Sequence, residues 1–446
     1  MTIVKTFQAA RASLPVPVQR SPASAIPGTD RVAALDWLKG FLMLWILYTH
    51  LGSYWNDGTW ISAWRTVWLF LDWMGPVGYI SFTVIGTVLS VVKKNNGHVK
   101  VTRPMMIDAL KKFIYIFLVG ELMNIVIDAR NPTHLGPWHV LGMNMITAVA
   151  FAQLLVYGLI GLSQRQRIVL FAVMLACLSS LLAWCLWALG WDGTGNIIMD
   201  QSSLVTLPAI VYFVLFDMNA MMPTYGWLLL TPLTMIVFER IVRYCARQKD
   251  VHPGGAEANG NLASEQVRLV KQLAIVGFLL VVITFLAGGF IVMHGIGGSA
   301  SAFYDLTNDD PFRYWNLPGI PLILYRYSPH YIIAFLGIIA MVFAVTFRAR
   351  DAAWLPARAP TRLEIFGKYS FSIFVYSHAL ALVPIKVSIV GFIIVLFPVL
   401  LVLVLAVQAW DARAGGVLSL EWGMRKYMGF LARLNKKARS AASTGN

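Results

Sequence analysis

Long apolar runs separated by short polar blocks repeat along the chain from residue 31 to about 410. A bilayer core takes roughly twenty apolar residues of helix to cross, so each such run predicts a membrane span. The runs fall at about 33–52, 67–92, 107–127, 138–162 and 168–190, then at 267–293, 326–347, 366–384 and 387–410. The polar blocks alternate in character. Lys93-Lys94, Arg165 with Arg167, Arg240 to Lys249, Arg348 to Arg362, and the tail with Arg425, Lys426, Arg433, Lys436, Lys437 and Arg439 are basic. Between them lie connections that are aromatic (Tyr54, Trp55, Trp60, Trp64) or acidic (Asp128, Asp192, Asp200, Asp305, Asp309, Asp310). Basic blocks mark the cytoplasmic side and aromatic belts the interfaces, which predicts cytoplasmic termini and an even number of crossings.

Parity constrains one stretch. Residues 202–239 hold about two span-lengths of apolar sequence, broken by Asp217-Met218-Asn219 and Pro223, yet they must cross an odd number of times. A re-entrant piece at 203–221 followed by one span at 224–240 meets that requirement; a short hairpin with a boundary misplaced elsewhere is the alternative. The expected architecture is an all-α polytopic membrane protein of about ten transmembrane helices, with eleven as the next count. Residues 1–30, with Pro15, Pro17, Pro22 and Pro27 and no apolar core, read as a disordered cytoplasmic leader. Residues 31–410 form the membrane domain and 411–446 a basic cytoplasmic tail.

Composition agrees with that reading. Of 446 residues 58% are hydrophobic and 13% charged, where a soluble domain carries about a quarter charged. The net charge of +15 comes from blocks between spans, not from a stripe, which argues against nucleic-acid binding. Cys177, Cys185 and Cys245 have no metal-ligand spacing, the eight histidines are scattered, and no phosphate loop or serine elbow is visible, so neither a metal nor a disulfide framework is expected.

Against this apolar background the ionisable residues stand out. The first span, RVAALDWLKGFLMLWILYTHLGSYW from Arg31 to Trp55, carries Asp36, Lys39 and His50. Each costs free energy inside a bilayer and is a functional candidate for that reason. Lys39 and His50 are separated by ten residues; eleven helical steps return to within about 20° of one face and climb about 16 Å. A cation near one surface and an imidazole near the other then share one stripe, which suits a ligand lying along the bilayer normal with its anionic end at Lys39. Glu121, mid-span with Asn124 one turn on, is placed to orient His50, by the logic of a carboxylate that steadies an imidazolium. His378 lies about 18 Å in from Phe366, level with His50.

The Lys39-x10-His50 spacing resembles the R/K-x10-H motif of the membrane acyltransferases of family 3. Leu35 to Gly40, L-D-W-L-K-G, resembles the L-D-x-x-R-G opening of the heparan-α-glucosaminide N-acetyltransferase-like proteins. Four further stretches resemble that group: GPVGYISFTVIGTVLSVVKK at 75–94, GPWHVLGMN around Trp138 and His139, LYRYSPHY around Arg326, Pro329 and His330, and FGKYSFSIFVYSHALAL, which contains His378. There are departures: Lys39 stands for the commoner arginine, Ser328-Pro329 for two prolines, and the basic opening of the third span is reduced to Arg103-Pro104 with Lys111-Lys112.

The resemblance implies an inner-membrane enzyme that moves an acyl group, acetyl in the simplest case, from cytoplasmic acyl-CoA to a hydroxyl or amino group of an extracytoplasmic glycan or lipid-linked sugar. His50, Glu121 and His378 are then the catalytic candidates. Lys39, Arg103 and Lys111 would hold the donor, and Trp138, His139, Arg326 and His330 the acceptor. A reading from another class is a proton-coupled transporter or flippase using His50, Glu121 and His378 as a relay.

Overall fold

A computed structural model describes residues 32–55, 74–95, 101–130, 144–190, 206–216, 224–247, 256–290, 328–351, 361–381 and 385–444, with isolated positions between them. The expected leader, Trp138, His139 and Arg326 lie outside the described residues. Helix dominates. α1 covers Ala33–Trp55, α2 Pro76–Lys94, α3 Arg103–Arg130, α4 Met145–Leu159, α5 Gln164–Ala188 and α6 Leu207–Leu215. α7 covers Thr224–Arg247, α8 Ala256–Thr284, α9 Pro329–Arg350, α10 Arg362–Lys368, α11 Ser370–Ala381, α12 Ile389–Ala414 and α13 Leu420–Thr444. A π-helical turn, Phe285–Gly289, extends α8, and β1 (Val292–Met293) pairs antiparallel with β2 (Ile320–Pro321).

Among the described residues six helices are long and apolar enough to cross a membrane: α2, α5, α7, α8 with its π turn, α9 and α12. The chain is an all-α multi-pass membrane protein. α1 and α3, with 23 and 28 residues, also have the length of a span, but polar side chains interrupt them. Burial sorts the helices into layers. In α7 72% of the most apolar window is buried inside the protein, against 6% in α5 and 17% in α12. α7, α2, α4, α9 and α1 thus make an inner layer, while α5, α8 and α12 present apolar side chains such as Trp187, Leu286 and Phe397 outward, where only lipid tails can cover them at low cost.

Local sequence sets several helix starts. Asn144 accepts from the Ile146 and Thr147 amides and forms a capping box with Thr147, while its own amide group donates to the Gly120 carbonyl and Asn124. Ser328 caps α9 by accepting from the Tyr331 amide, with Pro329 in the first turn; this gives the Ser-Pro pair a structural reason. Arg167, buried between α5 and α7, donates to the Leu159 and Ile160 carbonyls at the end of α4 and pairs with Glu239 at 3.4 Å. All of that charge is absorbed by structural partners.

Two stretches depart from single smooth spans. Within 202–239, α6 has nine residues, about 14 Å of helix and too short to cross, whereas α7 is a full-length helix from Thr224. The span expected at 366–384 is two helices, with Tyr369 outside helical geometry between them. The cause is tertiary: the Tyr369 hydroxyl donates to the Asp411 carboxylate near the end of α12, and Lys368 pairs with that same carboxylate at 2.7 Å. The helix of the expected tail is also continuous with the membrane domain, since α12 runs to Ala414 before a turn through Gly415 and Gly416 leads into α13.

Candidate functional site

The site is built on one crossing. A side chain on Gly40 of α1 would press into the Leu363 carbonyl and lie 3.2 Å from the Gly367 nitrogen. One on Gly367 of α10 would press into the Asp36 carbonyl and lie 2.7 Å from the Gly40 nitrogen. Backbone touches backbone here, and the stretches 35–40 and 366–370 are pressed together. From this point α1 climbs ten residues to His50, and α10 with α11 climbs eleven to His378. The two imidazoles meet, with ring centroids 4.8 Å apart and planes at 72°. Phe374, one turn before His378, lies 5.6 Å from His50 and 5.3 Å from His378.

The tautomer of His378 follows from its partner. Its Nδ1 lies 2.9 Å from the Phe374 carbonyl, which can only accept, so Nδ1 carries the proton and donates. In the neutral ring Nε2 then holds the lone pair and is the proton acceptor. His378 is buried and His50 half-buried.

Below the rings, toward the Lys39 end, lies a cavity of about 290 Å³. Lys39, Lys112 and Lys368 bring three cations to its wall, and Glu421 from the first turn of α13 brings a carboxylate. Lys39 fits because residue 86 is glycine: a β-carbon there would lie 3.3 Å from the Lys39 Nζ. Tyr79 also lines the cavity, and its ring lies 5.5 Å from Phe374. Ring contacts thus run from the cavity wall at Tyr79 to Phe374 and on to both imidazoles.

Glu421 has a second role. Its carboxylate accepts from the Phe371 amide at 3.1 Å, from the Ser372 amide at 3.3 Å and from the Ser372 hydroxyl. An anion at a helix N-terminus meets orphan amides and the positive end of the dipole, so Glu421 caps the helix that carries His378.

The remaining candidates are distributed elsewhere. Lys111 pairs with Asp108 at 3.8 Å and is not part of the chamber wall, which its neighbour Lys112 lines. Arg103 is exposed at the start of α3. Glu121 is half-buried with Asn124 as its side-chain hydrogen-bond partner, within its own helix. His330 donates from Nε2 to the Ala287 carbonyl at 3.1 Å, tying α9 to the π turn. Sequence spacing did not single out Lys112, Lys368, Tyr79, Phe374 or Glu421, although Lys368 sits inside the F-G-K-Y-S stretch.

Chemically, the arrangement offers cations for an anionic ligand at one end and a paired base at the other. One neutral imidazole can take a proton from a hydroxyl or amine while its neighbour accepts or returns one. Among the described residues no group of three or more His, Cys, Asp or Glu is placed to hold a metal ion. Comparison with protein-family models, with curated proteins and with solved structures gave no match to this chain.

Proposed function

We propose that the protein is a membrane-embedded acyltransferase that uses cytoplasmic acyl-CoA, acetyl-CoA in the simplest case, to acylate a hydroxyl or amino group of a glycan or lipid-linked sugar on the far side of the inner membrane. One observation carries this reading: a chamber with three lysines on its wall is linked, through ring contacts of Tyr79 and Phe374, to His50 and His378. The basic blocks between spans support a cytoplasmic lysine end, on the side where acyl-CoA is found. About ten crossings with both termini cytoplasmic belong to the same reading.

In this mechanism Lys39 and Lys112 neutralise the donor phosphates, with ammonium groups acting as point charges, while Lys368 is held on the wall by Asp411. The acyl thioester reaches the imidazole pair past Tyr79 and Phe374. The acceptor O–H or N–H gives its proton to imidazole as its oxygen or nitrogen bonds to the thioester carbonyl carbon. The carbon–sulfur bond then breaks, and the thiolate leaves with that proton as free thiol. Neither imidazole is consumed.

A transporter reading draws on the same line of titratable groups, Tyr79, His378 and His50, as a proton path. One experiment separates the two: acetyl-CoA binding to purified wild-type protein, Lys39→Ala and His50→Ala in nanodiscs. Acyl transfer requires saturable binding that weakens about tenfold in Lys39→Ala and persists in His50→Ala, as for loss of one charge-assisted contact. Absence of binding in all three would sink the donor assignment and leave the transporter reading.

A further inference from the structure

The last helix carries a surface that neither the chamber nor the histidines explain. α13 is held to the protein by its first turns. Glu421 caps α11, the Leu420 amide donates to the Ser372 hydroxyl, and the Tyr115 hydroxyl donates to the Leu420 carbonyl at 3.2 Å. Tyr427, two turns on, lies 5.6 Å from Tyr115. These contacts fix α13 beside the mouth of the cationic chamber.

The rest of the helix is divided by angle. At about 100° per residue, Met424 and Tyr427 fall on the side that faces the protein. Arg425, Lys426 and Arg433 share an arc of roughly 100° on the opposite side, and all three are exposed. Between the two lies a third strip: Phe430 and Leu434, about 40° apart and adjacent to Lys426. They are 56% and 45% exposed, unusual for large apolar side chains on a helix that already has a protein-facing side. The sequence of α13 goes on with Lys436, Lys437 and Arg439.

We infer that α13 docks on an anionic bilayer surface, with Phe430 and Leu434 dipping between acyl chains and Arg425, Lys426 and Arg433 meeting lipid phosphates. A protein partner would have to match both strips, whereas a bilayer interface presents apolar matter and negative charge side by side. Cations beside an apolar strip keep their heads at phosphate level while their stems lie over hydrocarbon. The docking needs no acyl-transfer activity.

The test is hydrogen exchange of the full chain in nanodiscs of neutral phosphatidylcholine and in discs containing phosphatidylglycerol. Each Lys or Arg near an anionic surface is worth about a fivefold change in partition. Amides of 425–434 are expected to exchange at least about fivefold more slowly in the anionic discs at low salt. That protection should vanish at high salt and in the triple variant Arg425→Gln, Lys426→Gln, Arg433→Gln, with exchange in α1 and α7 unchanged as the control for folding. Phe430→Ser with Leu434→Ser should also lose it. Equal exchange in both lipids, or protection indifferent to salt and to the triple variant, would overturn the inference.

Discussion

At the scale of single residues the site depends on what two positions lack. Gly40 and Gly367 allow backbone contact, and a methyl on either must displace a carbonyl group, not a flexible side chain. Overpacking of this kind costs about 1–3 kcal/mol. Gly367→Ala is expected to lower the melting temperature in detergent and, by parting the helices, to move His378 from His50. Gly158→Ala is the counterpart: nothing lies within 4 Å of its position, so the change should be neutral or stabilising by up to about 1 kcal/mol. Equal melting temperatures for both variants would remove the close-approach argument. The same scale separates Lys111 from Lys112. Adjacent residues on a helix point about 100° apart, and Lys111 already pairs with Asp108. Lys112→Ala is expected to weaken acetyl-CoA binding about tenfold while Lys111→Ala leaves it unchanged, measured by titration calorimetry. The sequence pointed to a basic pair at the start of this helix; which member faces the chamber depends on helix rotation set by α4, and a basic doublet does not encode that.

At the scale of elements, the sequence set the two histidines level with each other, and their contact was not legible. Eleven steps from Lys39 set the height of His50 by helical rise. The twelve from Phe366 to His378 cross the break at Tyr369, so the level meeting of the rings rests on how α10 and α11 are seated. That they touch depends on the glycine crossing and on what holds each helix end. α1 begins against Asp351, the C-cap residue of α9, whose carboxylate accepts from the Ala33 and Ala34 amides at 2.8 and 2.7 Å. Arg350 stacks over Trp37 at 5.6 Å beside it. These partners lie more than three hundred residues from α1 in sequence, so no local pattern could reveal them. Asp351→Ala should cost about 1–2 kcal/mol, the usual loss for an N-cap, seen as a lower melting temperature; Asp351→Asn keeps an acceptor and should lose less. An unchanged melting temperature in Asp351→Ala would mean that α1 is seated by its glycine contact without this cap. The break at Tyr369 escaped sequence reading for the same reason: its partner Asp411 is 42 positions away.

For the whole molecule, the apolar pattern identified the class of the protein because lipid imposes period and length on every crossing helix. It also carries part of the layering, since the lipid-facing α5 and α12 are more apolar than the buried α7, which admits Thr231, Thr234 and Glu239. α5 and α7 differ twelvefold in burial, 6% against 72%. This layering makes the chamber and the lipid face separable by water. A thiol reacts with a maleimide as thiolate, which needs water, so reactivity reports hydration directly. Ser90→Cys, lining the chamber, is expected to label with a membrane-impermeant maleimide, and saturating acetyl-CoA should slow that labelling at least several-fold. Phe397→Cys, 69% exposed on α12 but on the lipid side, should stay unlabelled until detergent is added. Sidedness comes from the same experiment. If the basic blocks mark the cytoplasm, Ser90→Cys labels in inside-out vesicles and is protected in right-side-out ones. The reverse pattern would place the three lysines outside the cell, away from any acyl-CoA, and the donor assignment would fall with the topology even if the two histidines proved essential.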